Sequence, residues 1–266
     1  MRKTAVFIGV LMTLLVSCSA TGRKGWKLVW QDEFSKDGRP DTKKWTINEK
    51  RPGFYNGEAQ AYVDRPENAR VEGGNLIIEA RKDGYGGFRY TSARMDTFFS
   101  GKWTYGRIEV RAKLPRGRGT WPGIWLMPVE NLNGAMGWPT SGEIDIMEHV
   151  GFDPENVHAS IHCAAYNHPA GTHKTMKHAV EDPYETFHVY AVEWLPERID
   201  FFVDEEMYFT FENEGTGYEV WPFYKDFYLI LNLAIGGAWG GMQGIDESIF
   251  PTALVVDYVR VYEKIQ

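Results

Sequence analysis

The chain is 266 residues long, 43% hydrophobic and 15% aromatic, and its 29 Lys and Arg against 36 Asp and Glu give a formal net charge of −7 at pH 7. An acidic balance excludes nucleic acid as a partner and disfavours sulfated polysaccharides, because both call for concentrated Lys and Arg.

The N-terminus stands apart from the rest. Arg2 and Lys3 precede an apolar run from Ala5 to Val16, too short to cross a bilayer comfortably and typical of a signal-peptide core. Leu15-Val16-Ser17-Cys18 resembles a bacterial lipobox, which implies cleavage before Cys18 and a lipid on its sulfur. Residues 1–17 are therefore expected to be a lipoprotein signal peptide, 18–25 a lipidated cysteine with a short linker, and 26–266 one folded domain. Cleavage removes Arg2 and Lys3, leaving 27 basic against 36 acidic residues and a net charge of −9. The expected protein is an exported monomer held to a membrane by its lipid. Only Cys163 then remains as a free thiol, so no intramolecular disulfide is available. It lies in the apolar-alternating run Val157–Ala165 and reads as buried and inert.

From residue 26 onward strand signals dominate. Gly74–Arg81, Gly106–Leu114, Ile124–Pro128, Val157–Ala165, Phe187–Trp194, Ile199–Val203, Met207–Phe211, Phe227–Ile235 and Leu254–Glu263 are short runs rich in β-branched and aromatic residues, punctuated by Gly, Pro, Asn and Asp. Leu195–Arg198 and Asp204–Glu206 read as hairpin turns of one meander. No long amphipathic helix, internal repeat or low-complexity segment interrupts the pattern. The fold class is therefore all-β, an antiparallel β-sandwich of two packed sheets.

One stretch departs from ordinary strand chemistry. In Gly142-Glu143-Ile144-Asp145-Ile146-Met147-Glu148, carboxylates alternate with large apolar residues. Side chains alternate across a strand, so Glu143 and Asp145 share one face, Ile144 and Ile146 share the other, and Glu148 falls on the wrong side. A bulge at Ile146–Met147 restores Glu148 to the acidic face and buries Met147 with the isoleucines. Three clustered carboxylates titrate as a coupled set, in which one stays protonated near neutral pH while a neighbour is ionised. Glycoside hydrolysis uses that division: Glu143 as nucleophile, Glu148 as acid and then base, and Asp145 orienting the nucleophile, with retention expected. The competing readings are a solvated acidic edge that discourages sheet pairing and a metal site, although the spacing lacks the glycine and oxygen-rich loop of an EF-hand.

The stretch Ser141–Gly151 resembles the catalytic signature of glycoside hydrolase family 16 in its bulged, laminarinase-like form. Segments at Trp30–Phe34, Asn56–Tyr62, Ser92–Met95, Tyr105–Pro115, Gly119–Leu126, His158–His162, Asn232–Gly237 and Val256–Tyr262 are similar to family segments in the family order, so the resemblance covers about residues 26–264. It implies a jelly roll whose concave sheet carries a substrate cleft, with no cofactor needed for catalysis.

A sugar ring has apolar faces and a polar rim, so its site pairs aromatic platforms with hydrogen-bonding groups. Trp121, Trp125 and Trp138 bracket the acidic strand, and Trp239 sits in the glycine-rich loop around Gly236–Gly241. All four are candidate platforms, and the resemblance places Trp121 and Trp125 beside the reacting sugar. Asn56, Glu58 and Arg94 match family positions that contact sugar hydroxyls. His162, on an alternating strand with His158, reads as a hydrogen-bonded histidine near the catalytic pair. His168, His173 and His178 follow at five-residue spacing in a polar loop that lacks a zinc pattern. The resemblance also implies a structural calcium at Glu33, Gly74 and Asp257. Ala238 stands where laminarinase-like members often carry Asn, which removes a possible sugar hydrogen bond. The expected activity is endo-hydrolysis of β-1,3- or mixed β-1,3/1,4-glucan. Its rivals are an agarose or porphyran hydrolase of the same family and a non-catalytic surface glycan-binding protein.

Overall fold

The computed structural model describes residues 23–129 and 137–265, so the expected signal peptide and Cys18 lie outside the described residues. In chain order the strands are β1 Trp26–Asp32, β2 Thr46–Ile47, β3 Gln60–Tyr62, β4 Ala69–Glu72, β5 Asn75–Ala80, β6 Tyr90–Ser92, β7 Arg94–Asp96, β8 Gly106–Lys113 and β9 Thr120–Pro128. They continue with β10 Glu143–His149, β11 Asn156–His162, β12 Lys174–Ala179, β13 His188–Trp194, β14 Arg198–Val203, β15 Glu206–Glu212, β16 Phe227–Ile235 and β17 Thr252–Lys264. Every long run read from the sequence is a strand. Val157–Ala165 is cut short at His162, because the backbone groups of Cys163 and Tyr166 bond each other and turn the chain back.

Seven strands form one antiparallel sheet in the order β12–β11–β10–β9–β16–β7–β2, and a second antiparallel sheet runs β15–β14–β13–β8–β17–β5–β4. The 13 residues of β17 pair first with β5 through Thr252–Val256 and then with β1 toward Lys264, while β8 flanks the other side. The meander β13–β14–β15 turns at Leu195–Glu197 and again at Asp204–Glu205. Both residues of the second turn have positive φ (47° and 72°), the hand that suits a two-residue hairpin. One element is an addition to the two sheets expected: β3 and β6 pair in parallel as a separate ribbon. Runs of three residues carry too little periodicity to announce it.

Both sheets feed one buried cluster. Ile144, Ile161, Leu126, Leu229, Leu231 and Leu233 enter it from the seven-stranded sheet, and Ile108, Val110, Trp194, Leu254, Val256 and Val261 from the other. Each such side chain stabilises the fold by roughly 1.5–3 kcal/mol relative to exposure. Cys163 lies in the same cluster, and burial raises its thiol pKa, as an inert cysteine requires. On β16 the alternate residues Ile230, Asn232 and Ala234 fall outside the cluster and face the opposite side of the sheet. That side carries the site.

Candidate active site

The acidic stretch forms β10, an interior strand of the seven-stranded sheet between β11 and β9. Across β11, Glu143 pairs with His162 and Asp145 with Ser160, and the register then slips so that Glu148 stands opposite His158. Across β9, Asp145 faces Trp125 and Glu148 faces Gly123, with the same slip between them. Ile146 and Met147 together occupy the place of one residue, and both are buried in the core. The bulge that parity demands is present, and it brings the three carboxylates to one face.

Two indoles reach the outer pair. Trp121 Nε1 donates to Glu148 Oε1 at 3.0 Å, and Trp138 Nε1 donates to Glu143 Oε2 at 2.5 Å. One carboxylate oxygen each of Glu143 and Asp145 and one ring nitrogen of His162 lie within 4.8 Å of one another. His162 Nε2 stands 3.3 Å from Asp145 Oδ2, beside the acidic strand. Burial raises the pKa of Glu143 well above the carboxylate range, reinforced by the charge of Asp145. Burial also raises Asp145, reinforced by Glu148. Glu148 is pushed up to about 7, first by burial and then by Glu143, against the hydrogen bond from Trp121. A carboxyl poised near 7 can give up a proton and take one back at neutral pH.

The carboxylates sit where two halves of one cleft meet. The larger half is a cavity of about 480 Å³ bounded by Trp121, His158, His162, His168, His173 and Trp239. The narrower half, about 70 Å³, is bounded by Tyr55, Glu58, Arg94, Trp125, Asp145 and Asn232. Glu143, Glu148, Trp121 and Asn56 line both.

The narrow half is held by a continuous relay. Trp125 Nε1 donates to Asn232 Oδ1 at 2.7 Å, and Asn232 Nδ2 donates to the Tyr62 hydroxyl at 3.1 Å. That hydroxyl donates to Glu58 at 2.9 Å, and Gln60 Nε2 donates to the same carboxylate oxygen at 2.7 Å. Glu58 therefore secures Tyr62 and, through it, Asn232 and Trp125. Burial raises its pKa while the two donors oppose the rise. The Arg94 guanidinium lies 4.6 Å from the Tyr55 ring centre and 4.7 Å from that of Trp125, a cation held between two aromatic rings. Gly123 makes room for the relay, since a Cβ there would stand 2.9 Å from Asn232 Oδ1 and 3.1 Å from the Trp125 ring.

The wide half is walled by rings. Trp239 meets Trp121 edge-on at 5.8 Å and His158 at 4.9 Å. Its loop is tied to Asn56, whose carbonyl accepts from the Ala238 amide at 2.8 Å. Replacing Trp239 with Ala should raise KM about tenfold with little change in kcat, because an aromatic platform contributes on the order of 1 kcal/mol. Steady-state kinetics on a soluble polysaccharide would check it.

Sequence reasoning missed two members of this wall. His168 and His173 read as polar-loop residues, yet His173 stacks on His162 at 5.6 Å, and His168 packs against both Trp138 (5.0 Å) and His162 (5.3 Å). The cause is the antiparallel return of β12, whose Lys174 pairs with Ile161 and so brings His173 beside His162. Lys174–Ala179 has no apolar alternation to signal a strand. His178 goes elsewhere, stacked on Tyr208 at 4.7 Å. Burial lowers the pKa of His168 and His173, with neighbouring imidazoles adding to the shift.

The residues assigned to calcium lie among other partners. Arg260 grips both oxygens of Glu33, at 2.7 and 2.8 Å, and Arg111 pairs with Asp257. Gly74 sits in the turn between β4 and β5 with φ +79°.

Comparison with known proteins gives a consistent result. The model of glycosyl hydrolases family 16 matches residues 56–259. The chain is 49% identical to a β-glucanase from Rhodothermus marinus over 278 aligned positions, covering 100% of this chain and 96% of that protein. The crystal structure of the laminarinase from Rhodothermus marinus superposes with a TM-score of 0.88 at 51% identity, covering 91% of this chain and 98% of that one. A non-specific endo-β-1,3(4)-glucanase co-crystallised with 1,3-β-D-cellotriosyl-glucose superposes with a TM-score of 0.86 at 47% identity, covering 91% and 96%.

Proposed function

The chain belongs to glycoside hydrolase family 16 and is a glycoside hydrolase, and from that premise we propose that it cuts internal bonds of β-1,3- or mixed β-1,3/1,4-glucan with retention of configuration. The observation that carries the reading is the pair Glu143 and Glu148, brought to one face by the bulge and set at the junction of a two-sided cleft. In the first step the Glu143 carboxylate attacks the anomeric carbon, the glycosidic C–O bond breaks, and the proton of Glu148 passes to the leaving oxygen. In the second, ionised Glu148 takes a proton from water, the water oxygen bonds to the anomeric carbon, and Glu143 is released. Sugar on both sides of the pair fits attack within a chain. Imidazoles and indoles, with no lysine or arginine among the lining residues of the wide side, suit an uncharged polymer better than a sulfated one.

Reducing-sugar release and product sizing on laminarin, barley β-glucan, lichenan, xyloglucan and agarose tests the proposal. Oligosaccharides from laminarin or barley glucan are expected. Cleavage of agarose alone would assign a galactan hydrolase, and no cleavage at all would leave a glycan-binding role.

Two further expectations belong to the same proposal. Cys18 carries a lipid and anchors an exported monomer. Arg23, the first described residue, is ion-paired with Glu109 and Glu205. Labelling with radioactive palmitate should be lost in Cys18→Ser. Calcium at Glu33, Gly74 and Asp257 would require Arg260 and Arg111 to release both carboxylates, since hard oxygen donors already neutralised by guanidinium make a poor cage. If the ion binds, millimolar CaCl2 should raise Tm by a few degrees over EGTA, and an unchanged Tm would remove calcium from the protein.

A further inference from the structure

Two residues that line neither half of the cleft, Gln60 and Tyr62, belong to the buried polar chain attached to its narrow side. They are 1% and 2% exposed, so neither is placed to touch a sugar. The direction of each bond in the chain follows from its ends. An indole N–H only donates, so the Asn232 atom 2.7 Å from Trp125 Nε1 must be the acceptor oxygen. The Asn232 amide nitrogen is thereby turned toward the Tyr62 hydroxyl at 3.1 Å, and an amide nitrogen cannot accept. The hydroxyl takes this hydrogen bond and gives its own to Glu58 Oε2 at 2.9 Å. Gln60 is oriented by the same logic: its Oε1 accepts from the Ile235 backbone N–H at 2.7 Å, which leaves its Nε2 to donate to Glu58. Flipping the Asn232 amide would set two N–H groups against each other at Trp125. The link that prevents the flip comes from β3, whose parallel pairing with β6 sets Tyr62 opposite Ser92, so the ribbon that stands apart from both sheets supplies the acceptor on which the narrow side is set.

We infer that Tyr62 is a positioning residue for glucan binding: its hydroxyl fixes the Asn232 amide, which holds the Trp125 indole in the orientation that the narrow side presents to the sugar. The inference rests on the glucan-hydrolase reading above. Trp239, on the wide side, is held instead by ring contacts with Trp121 and His158, and serves as the control.

The test is a pair of double-mutant cycles read as KM and kcat on whichever glucan the enzyme cuts. Tyr62→Phe removes one oxygen and keeps the ring. It should raise KM about tenfold with kcat little changed, the fold-change expected when a buried donor loses its acceptor. In a Trp125→Phe background, where no indole N–H is left to place, the same substitution should change KM by less than about twofold. In a Trp239→Ala background it should keep its full effect, because the two act on opposite sides of the cut. Fluorine NMR of protein labelled with 5-fluorotryptophan reads the positioning without substrate. Tyr62→Phe should shift or broaden the Trp125 resonance, assigned by its disappearance in Trp125→Phe, and leave that of Trp239 in place. Should Tyr62→Phe fail to fold, Asn232→Leu cuts the chain one link nearer the indole and enters the same two cycles. A Tyr62→Phe enzyme that melts earlier with an unchanged KM, or whose effect adds fully to that of Trp125→Phe, would show that the hydroxyl only stabilises the fold, and the inference would be wrong. A wild type that cuts no glucan would bring down the hydrolase reading and this inference together, whereas a wild type that cuts glucan with additive effects would bring down the role of Tyr62 alone.

Discussion

Glu143→Gln is expected to lower kcat on glucan by about 10⁴-fold or more, because the amide cannot form the glycosyl-enzyme and no neighbour stands in for it. Asp145 is not a substitute. It is 2% exposed, one alternation step along the same strand. Glu143→Gly opens space for a small anion at the nucleophile's position. Added azide should then restore turnover of an activated aryl β-glycoside, giving the α-glycosyl azide, since the anion attacks from the face that the carboxylate used. Failure of azide rescue together with residual activity in Glu143→Gln would place the nucleophile elsewhere.

Glu148→Gln should fail differently. On glucan the loss is about 10²–10⁴-fold, the usual contribution of general acid–base catalysis. An aryl glycoside with a good leaving group needs no proton in the first step, so the variant should show a burst of phenolate followed by slow turnover. The pH dependence follows from the position of Glu148 near 7. The acid form is present below that value, so wild-type activity should decline as pH rises through about 7, and the Gln variant should show no such limb. The same shift predicts a stability change of opposite sense. The pKa of Glu148 is higher in the fold than its ordinary value of 4.5, so folding disfavours the ionised form. Its favourable balance is complete below the ordinary value and is lost as pH rises through about 7. Glu148→Gln should therefore match the wild type at pH 4 and exceed it at pH 8 by up to about 3 kcal/mol, a Tm gain of several degrees. A variant less stable than the wild type at pH 8 would show that Glu148 is not strained by its burial.

The acidic face was legible because strand parity is a hard constraint. Glu143, Asp145 and Glu148 can share a face only if one extra residue intervenes, and Ile146–Met147 offers the apolar pair to absorb it. The long runs on β8, β13, β16 and β17 were legible for a related reason, since burial on one face writes alternation into the sequence. The relay from Trp125 to Gln60 was not. It joins residues from β9, β16 and β3 whose adjacency depends on sheet order, and no local pattern encodes order. The imidazole wall escaped notice because its loop residues, His168 and His173, owe their place to a polar strand without periodicity. Trp121 and Trp138 were read as sugar platforms from their position beside the acidic stretch. Their indole N–H groups aim at Glu148 and Glu143, a direction fixed by packing rather than by composition.

Trapping the intermediate tests the double displacement most directly. A 2-deoxy-2-fluoro-β-glucosyl donor with an activated leaving group, matched to the preferred linkage, should inactivate the enzyme and add one sugar mass. Peptide mapping should find that mass on Glu143. Adduct on another residue, or turnover of the natural substrate to an α anomer with no adduct at all, would contradict Glu143 as the nucleophile of a retaining β-glucanase.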